Sequence, residues 1–292
     1  MVSEAGRLLK VAFEGWWNDR AMSLGASIAF FTVFSLAPML LAAIAVAGLA
    51  FGREAAQGAI VAELGGLIGT NEASTLEGMI ASANNVGSGI VGTTIGVVTF
   101  LLLVTGAVIE LQDTLNIIWK AKPPESSGII NFLRTRMVGF TLVLGIGFLL
   151  LVSLIIDAGL SAVSDYIEPA FSGGTMILRF LNSLVAFGIA VLLFAMIFKL
   201  LPNVDITWSD VWTGSLVTAL LFTLGKFLIG YYLGKSNIAS SYGAAASIIT
   251  ILLWIYYSSL ILLFGAEFTK AYAESRGSQS GTNGAVRERR AG

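Results

Sequence analysis

The chain has 292 residues, 56% of them hydrophobic and 12% charged, with a net charge of −1. A typical soluble domain carries about 25% charged residues, and a soluble fold of this size cannot hide so much apolar surface, so the composition points to a bilayer as solvent. The absence of Cys and His excludes disulfides, thiolate chemistry and the commonest general base and zinc ligand, and the near-neutral charge offers no basic field for nucleic acid.

The elements follow in chain order. Residues Arg7–Asn18 have helical periodicity: Leu8, Leu9, Ala12, Phe13, Trp16 and Trp17 share a broad face opposite Arg7, Lys10, Glu14 and Asn18, the pattern of a helix lying in the membrane interface. An anchor that sets the entry angle of the first span is preferred to a lateral gate or lipid sensor. The first span, Leu24–Phe51, is too long for the h-region of a cleavable signal peptide and is preceded by acids as well as bases. Pro38 within it can free a backbone carbonyl near Phe34.

Five further stretches have the roughly 20 apolar residues needed to cross the hydrocarbon core: Ile90–Leu111, Met137–Ile156, Met176–Phe198, Val211–Leu233 and Tyr242–Phe268. The expected fold class is therefore all-α, a polytopic membrane bundle of six transmembrane helices. It divides into an interfacial segment 1–23, a membrane domain 24–274 and a disordered tail 275–292. In the long loop after the first span, Ala55–Ile68 and Leu76–Ala83 have apolar positions at helical spacing, which predicts two short helices packed over the mouth of the bundle. Lys122-Pro123-Pro124 opens a clear break between the second and third spans.

Basic residues set the orientation. Thirteen of the seventeen Lys and Arg fall before the first span, in the second-to-third and fourth-to-fifth loops, or after the sixth span. Arg53, Arg179 and Lys235 lie on the opposite side, and Lys226 lies inside a span. Both termini are expected in the cytoplasm.

Ionisable groups within spans are costly and are functional candidates by default. Lys226 sits within the fifth span beside Gly225, with Tyr231 and Tyr232 beyond it. It either snorkels to the outer interface or faces the bundle interior, and a transport role would require a wet cavity lined by Lys226 and polar groups of the sixth span. Glu110 and Asp113 share a helix face at the inner end of the second span. They could bind a cation or relay protons, or simply pair with Arg134 and Arg136. Glu267, at the inner end of the sixth span, has Lys270 three residues on. Trp254, Tyr256 and Tyr257 fall near the middle of that span rather than at an interface, which turns the sixth helix toward the bundle interior, with hydrogen bonds to Thr250, Ser258 or Ser259 as their simplest use. Gly25/Ala29, Gly92/Gly96, Gly230/Gly234 and Gly243/Ser247 allow close helix approach. No catalytic residue, metal ligand or cofactor fingerprint is expected.

These pieces together carry a resemblance. Asp19-Arg20-Ala21 leads into Phe30-Phe31-Thr32 and Pro38; Glu110 precedes Asn116 and Trp119; Leu201-Pro202-Asn203 precedes Trp208; Gly225-Lys226 precedes Tyr242-Gly243; and Trp254-Ile255-Tyr256-Tyr257 precedes Gly265-Ala266-Glu267. From about Asp19 to Tyr272 the chain resembles the YihY/BrkB family of bacterial inner-membrane proteins. The resemblance implies a six-helical protein of unestablished activity, in a family linked to virulence and serum resistance and once labelled as ribonuclease BN. The residues argue against that label, since the chain has no His and no sizeable cytoplasmic part to hold RNA. The function expected is a non-enzymatic transporter or exporter for a small molecule or lipid in the cell inner membrane. Membrane lipid is the expected partner, and neither cofactor nor nucleic acid is expected. The alternative is an envelope scaffold acting through lipid or protein contacts.

Overall fold

In a computed structural model of the chain, the described residues are 2–84, 106–121, 174–235 and 245–275, with scattered helical positions between 137 and 156. Among them every regular element is a helix. These are α1 (Val2–Asn18), α2 (Ala21–Phe51), α3 (Arg53–Ile68), α4 (Thr70–Asn84), α5 (106–118), α6 (Gly174–Leu200), α7 (Trp208–Lys235) and α8 (Ala246–Ser275). Most of the expected second and third spans, the break at Lys122-Pro123-Pro124, Arg134, Arg136, Tyr242, Gly243 and the tail after Ser275 lie outside the described residues.

Three helical segments, Phe180–Leu200, Trp208–Tyr232 and Ala246–Ser275, are long and apolar enough to cross a membrane. A fourth candidate is the pair formed by α1 and the start of α2, bent by 67°. The bend has a local cause. Asp19 and Arg20 leave the helical path, and Arg20 adopts φ 56°, a left-handed conformation that ends one helix before the next begins. The chain thus turns sharply from an amphipathic helix into an apolar one. α2 then runs unbroken for 31 residues through Pro38. α8 continues about two turns beyond Phe268, so its polar end reaches α1.

Two apolar clusters hold the helices together. The larger joins the buried Phe194 and Phe198 of α6 to Leu115 and Ile118 of α5, Val211 and Ala219 of α7, and Leu263 and Ala266 of α8. The smaller lies at the other end. There Leu40, Ile44 and Ala47 of α2 meet Ala56 and Ile60 of α3, Leu76 and Ile80 of α4, and Ile251 of α8. The short helices α3 and α4 are therefore packed onto the bundle rather than hung from it. Gly145, helical, faces the Met196 thioether methyl of α6.

α7 and α8 meet without a gap. A methyl group at Gly214 would run into Thr269, and one at Gly265 would run into Thr218. Thr218 and Thr269 each donate their hydroxyl to the carbonyl of the glycine four residues earlier in their own helix, both at 2.7 Å. Each helix therefore presents a Gly-x-x-x-Thr step, and the two steps interlock, glycine to threonine and threonine to glycine. Small residues that let backbones approach are the usual basis of helix association in lipid.

Candidate functional site

Above that interlock, α1 lies beside the seam between the two helices. The result is a groove of about 380 Å³ lined by Phe13 and Trp16 of α1, Leu221, Leu224, Gly225 and Leu228 of α7, and Tyr257, Leu260, Ile261 and Phe264 of α8. Trp16 is fixed by its indole N–H, which donates to the Leu260 carbonyl at 3.2 Å. Gly225 shapes one wall: a side chain there would strike Ile261 and crowd the Tyr257 ring. Tyr257 and the Trp16 indole are the polar-tipped members of an otherwise hydrocarbon surface. Such a surface can hold apolar matter and has little to offer a hydrated ion.

Lys226 does not line this groove. It is half-buried beside Gly225, with its ammonium 5.4 Å from the ring centre of Phe227, itself 67% exposed. Phe227, Leu228, Tyr231 and Tyr232 form an exposed face, so Lys226 is directed along the outside of α7. Of the midspan aromatics, Tyr257 faces the groove and Tyr256 lies against Gly25 of α2. Trp254 packs edge-on against Phe222 at 6.1 Å, and its buried indole N–H meets no acceptor among the described residues. Ser259 bonds its own helix, donating to the Ile255 carbonyl at 2.8 Å.

A second group of candidates gathers at the α1 end. Ser27 of α2 donates to Glu110 of α5. Asp113 lies at the exposed edge of α5; partial burial, and then the neighbouring Glu110 carboxylate, push its carboxyl above the usual carboxylate range. Gln112 donates to the Leu201 carbonyl at 2.8 Å, and the Asn116 side-chain oxygen accepts from the Asn203 backbone N–H at 2.8 Å. Leu201-Pro202-Asn203 is thereby pinned to α5, with Trp119 buried below it. These residues brace a turn.

Glu267 is different. Only 3% of it is exposed; its Oε2 is 3.7 Å from the Lys270 ammonium, and its Oε1 has no hydrogen-bond partner among the described residues. The Asp19 carboxyl, one turn beyond Gly15 in the bend between α1 and α2, faces Glu267, and its Oδ2 is likewise buried with no partner among the described residues. Reasoning from sequence pairs Glu267 with the nearby Lys270 and misses Asp19, nearly 250 positions away. The available signal is that Asp19 and Glu267 both fall at ends of spans that the basic residues assign to one side of the membrane.

The geometry is that of a helical membrane protein, and comparison with known proteins agrees. Residues 12–290 match the family described as virulence factor BrkB. The chain belongs to the virulence factor BrkB family. It is 26% identical to a UPF0761 membrane protein of Rhodospirillum centenum over 94% of this chain and 59% of the relative, and 32% identical to one of Tolumonas auensis over 62% and 58%. A UPF0761 membrane protein of Pseudoalteromonas translucida is 27% identical over 87% of this chain and 85% of its own. The chain thus spans just under three fifths of the length of the first two of these BrkB-family relatives. No solved structure matches. Among the motif residues of the family, Asp19, Gly225 and Gly265 occupy close contacts between helices, while Asn116, Trp119, Pro202 and Asn203 build the braced turn.

Proposed function

We propose that this BrkB-family protein is a transporter-like bundle that takes a membrane lipid, holding an acyl chain in the groove between α1, α7 and α8. The observation that carries the reading is the groove's lining: hydrocarbon and aromatic side chains from three helices, beside the exposed apolar face of α7. Each methylene buried there would contribute about 0.8 kcal/mol, so an acyl chain is the natural occupant. Lys226, directed along the outside of α7, does not line the groove and takes no part in holding the acyl chain. We place the protein in the cell inner membrane with both termini cytoplasmic, on the strength of the basic-residue asymmetry. We read its role as non-enzymatic.

The test is photolabelling with a phospholipid bearing a photoreactive acyl chain, in proteoliposomes. Label is expected on groove peptides of α7 and α8. Leu224→Trp and Leu228→Trp fill the groove from its exposed wall, so they should reduce labelling several-fold and slow movement of the lipid between leaflets. Equal labelling of wild type and variants would refute the groove as a lipid site. Retained labelling with no lipid movement would favour the envelope-scaffold reading.

A further inference from the structure

Buried carboxylates cost free energy unless they are paired or protonated. Glu267 is buried, with one oxygen unpartnered, one oxygen at a long 3.7 Å from Lys270, and a second carboxyl, Asp19, facing it. Gly15 of α1 forms the floor of this site: a methyl group there would lie 2.5 Å from the Glu267 Oε2. The elements packed here offer other charges, but Lys10 and Glu14 face each other on exposed α1 at 3.8 Å, and Glu110 accepts from Ser27. Arg20 in the turn is exposed, Asp210 on α7 is buried, and the groups that bear on Glu267 are Asp19 and Lys270. Two carboxylates and one ammonium leave the buried site with a net charge of −1, and one added proton makes it neutral.

We propose that Glu267, buried against Gly15 and facing the Asp19 carboxyl, is a proton-binding site, and that its proton holds α1 against α8. The proton comes from water and returns to it; no other bond is made or broken. With the proton in place, one carboxyl donates to the other across the α1–α8 contact, and the orphaned oxygen is satisfied. Without it, two like charges face each other in a dry site, and α1 is pushed away about the bend at Arg20. Among the described residues, what else joins these helices near the site is the Trp16 to Leu260 hydrogen bond and apolar packing around Phe13 and Trp16, neither of which offsets a like-charge pair at the Gly15 contact. Because Phe13 and Trp16 ride on α1, release of the helix opens one wall of the groove. That last consequence rests on the lipid reading above; the proton-held contact does not.

The chain contains no Cys, so spin labels attach only where cysteines are introduced. Trp17→Cys on exposed α1 and Ser275→Cys at the end of α8 report the separation of the two helices by pulsed electron–electron resonance. In nanodiscs, the doubly labelled protein should show one short, narrow distance at about pH 5 and a longer, broader distribution at about pH 9. Glu267→Gln supplies a permanent donor to Asp19 and should keep the short distance at both. Asp19→Asn should do the same from the other side, so the conclusion does not hang on one variant folding. A distance unchanged across that range in the otherwise unmodified protein would overturn the proposal. So would a pH dependence that survives both substitutions, since the proton would then sit elsewhere. Neither readout involves lipid, so failure of the lipid proposal leaves this one intact.

Discussion

Gly265→Ala adds one methyl group at the tightest point between α7 and α8. The added carbon would overlap Thr218, whose Cβ and Cγ2 lie 2.8 Å and 2.7 Å from its position. Thr218 cannot turn aside freely: it is fully buried, and its hydroxyl is engaged with the Gly214 carbonyl at 2.7 Å. Forcing an extra carbon into a packed interface costs about 1–3 kcal/mol, and loss of the hydroxyl bond adds about 1 kcal/mol. The expected loss is about 2–4 kcal/mol, or about 30- to 1000-fold in the folding equilibrium, at 1.4 kcal/mol per decade. Unfolding by detergent titration in mixed micelles reads it as a shifted midpoint. Two companions sharpen the measurement. Gly230→Ala has open space around the new methyl and should be neutral or mildly stabilising. Thr218→Gly combined with Gly265→Ala removes the colliding atoms, so the double variant should recover most of what Gly265→Ala loses, with a coupling of at least about 1 kcal/mol. If Gly265→Ala proved as stable as the parent, or if the cycle showed no coupling, the interlocked packing described above would be wrong.

Other outcomes are expected from the same structure. Phe198→Ala should cost about 3–5 kcal/mol in the same titration, because the ring is fully buried in the larger cluster. Asn116→Ala leaves the Asn203 N–H without its acceptor; the site is near water, so about 0.5–1.5 kcal/mol is expected, and hydrogen exchange should rise at Asn203 before it rises elsewhere. Burial and Glu110 raise Asp113, so the folded protein holds that proton more tightly than the unfolded chain does. Its contribution to stability is therefore present in acid and is lost as pH rises through its titration, and Asp113→Asn should flatten that part of the stability–pH curve. Lys226→Gln should leave acyl-chain labelling in the groove unchanged, since the ammonium stands outside it; a marked loss of labelling would move the ligand onto the outer face of α7.

Local patterns were legible in the sequence, and distant ones were not. Helical spacing of apolar residues is enough to show α3 and α4, and runs of apolar residues are enough to show α2, α6, α7 and α8, because both signals are carried by residues a few positions apart. Gly225 was legible as a point of close approach, though not as the seat of Ile261 and Tyr257. The Gly/Ala/Ser pairs that the sequence offers did not include the tightest contact. Of those pairs Gly25 is a close approach, to Leu260 and Tyr256 of α8, and Gly230 faces open space, whereas Gly214 and Gly265 are more crowded than either. The distinguishing mark was available: each is followed four residues later by a threonine that can bond back to it. Asp19 and Glu267 could not be paired from sequence, because nothing local to either residue names the other.

The interlock of α7 with α8 also limits how the bundle can move. Two helices keyed glycine-to-threonine in both directions cannot slide or roll past one another without breaking contact at two points together. They form a single strut, and a change of shape must come from pieces that lean on it. Of those, α1 joins the rest of the chain through one left-handed arginine, so its seventeen residues can turn about that point.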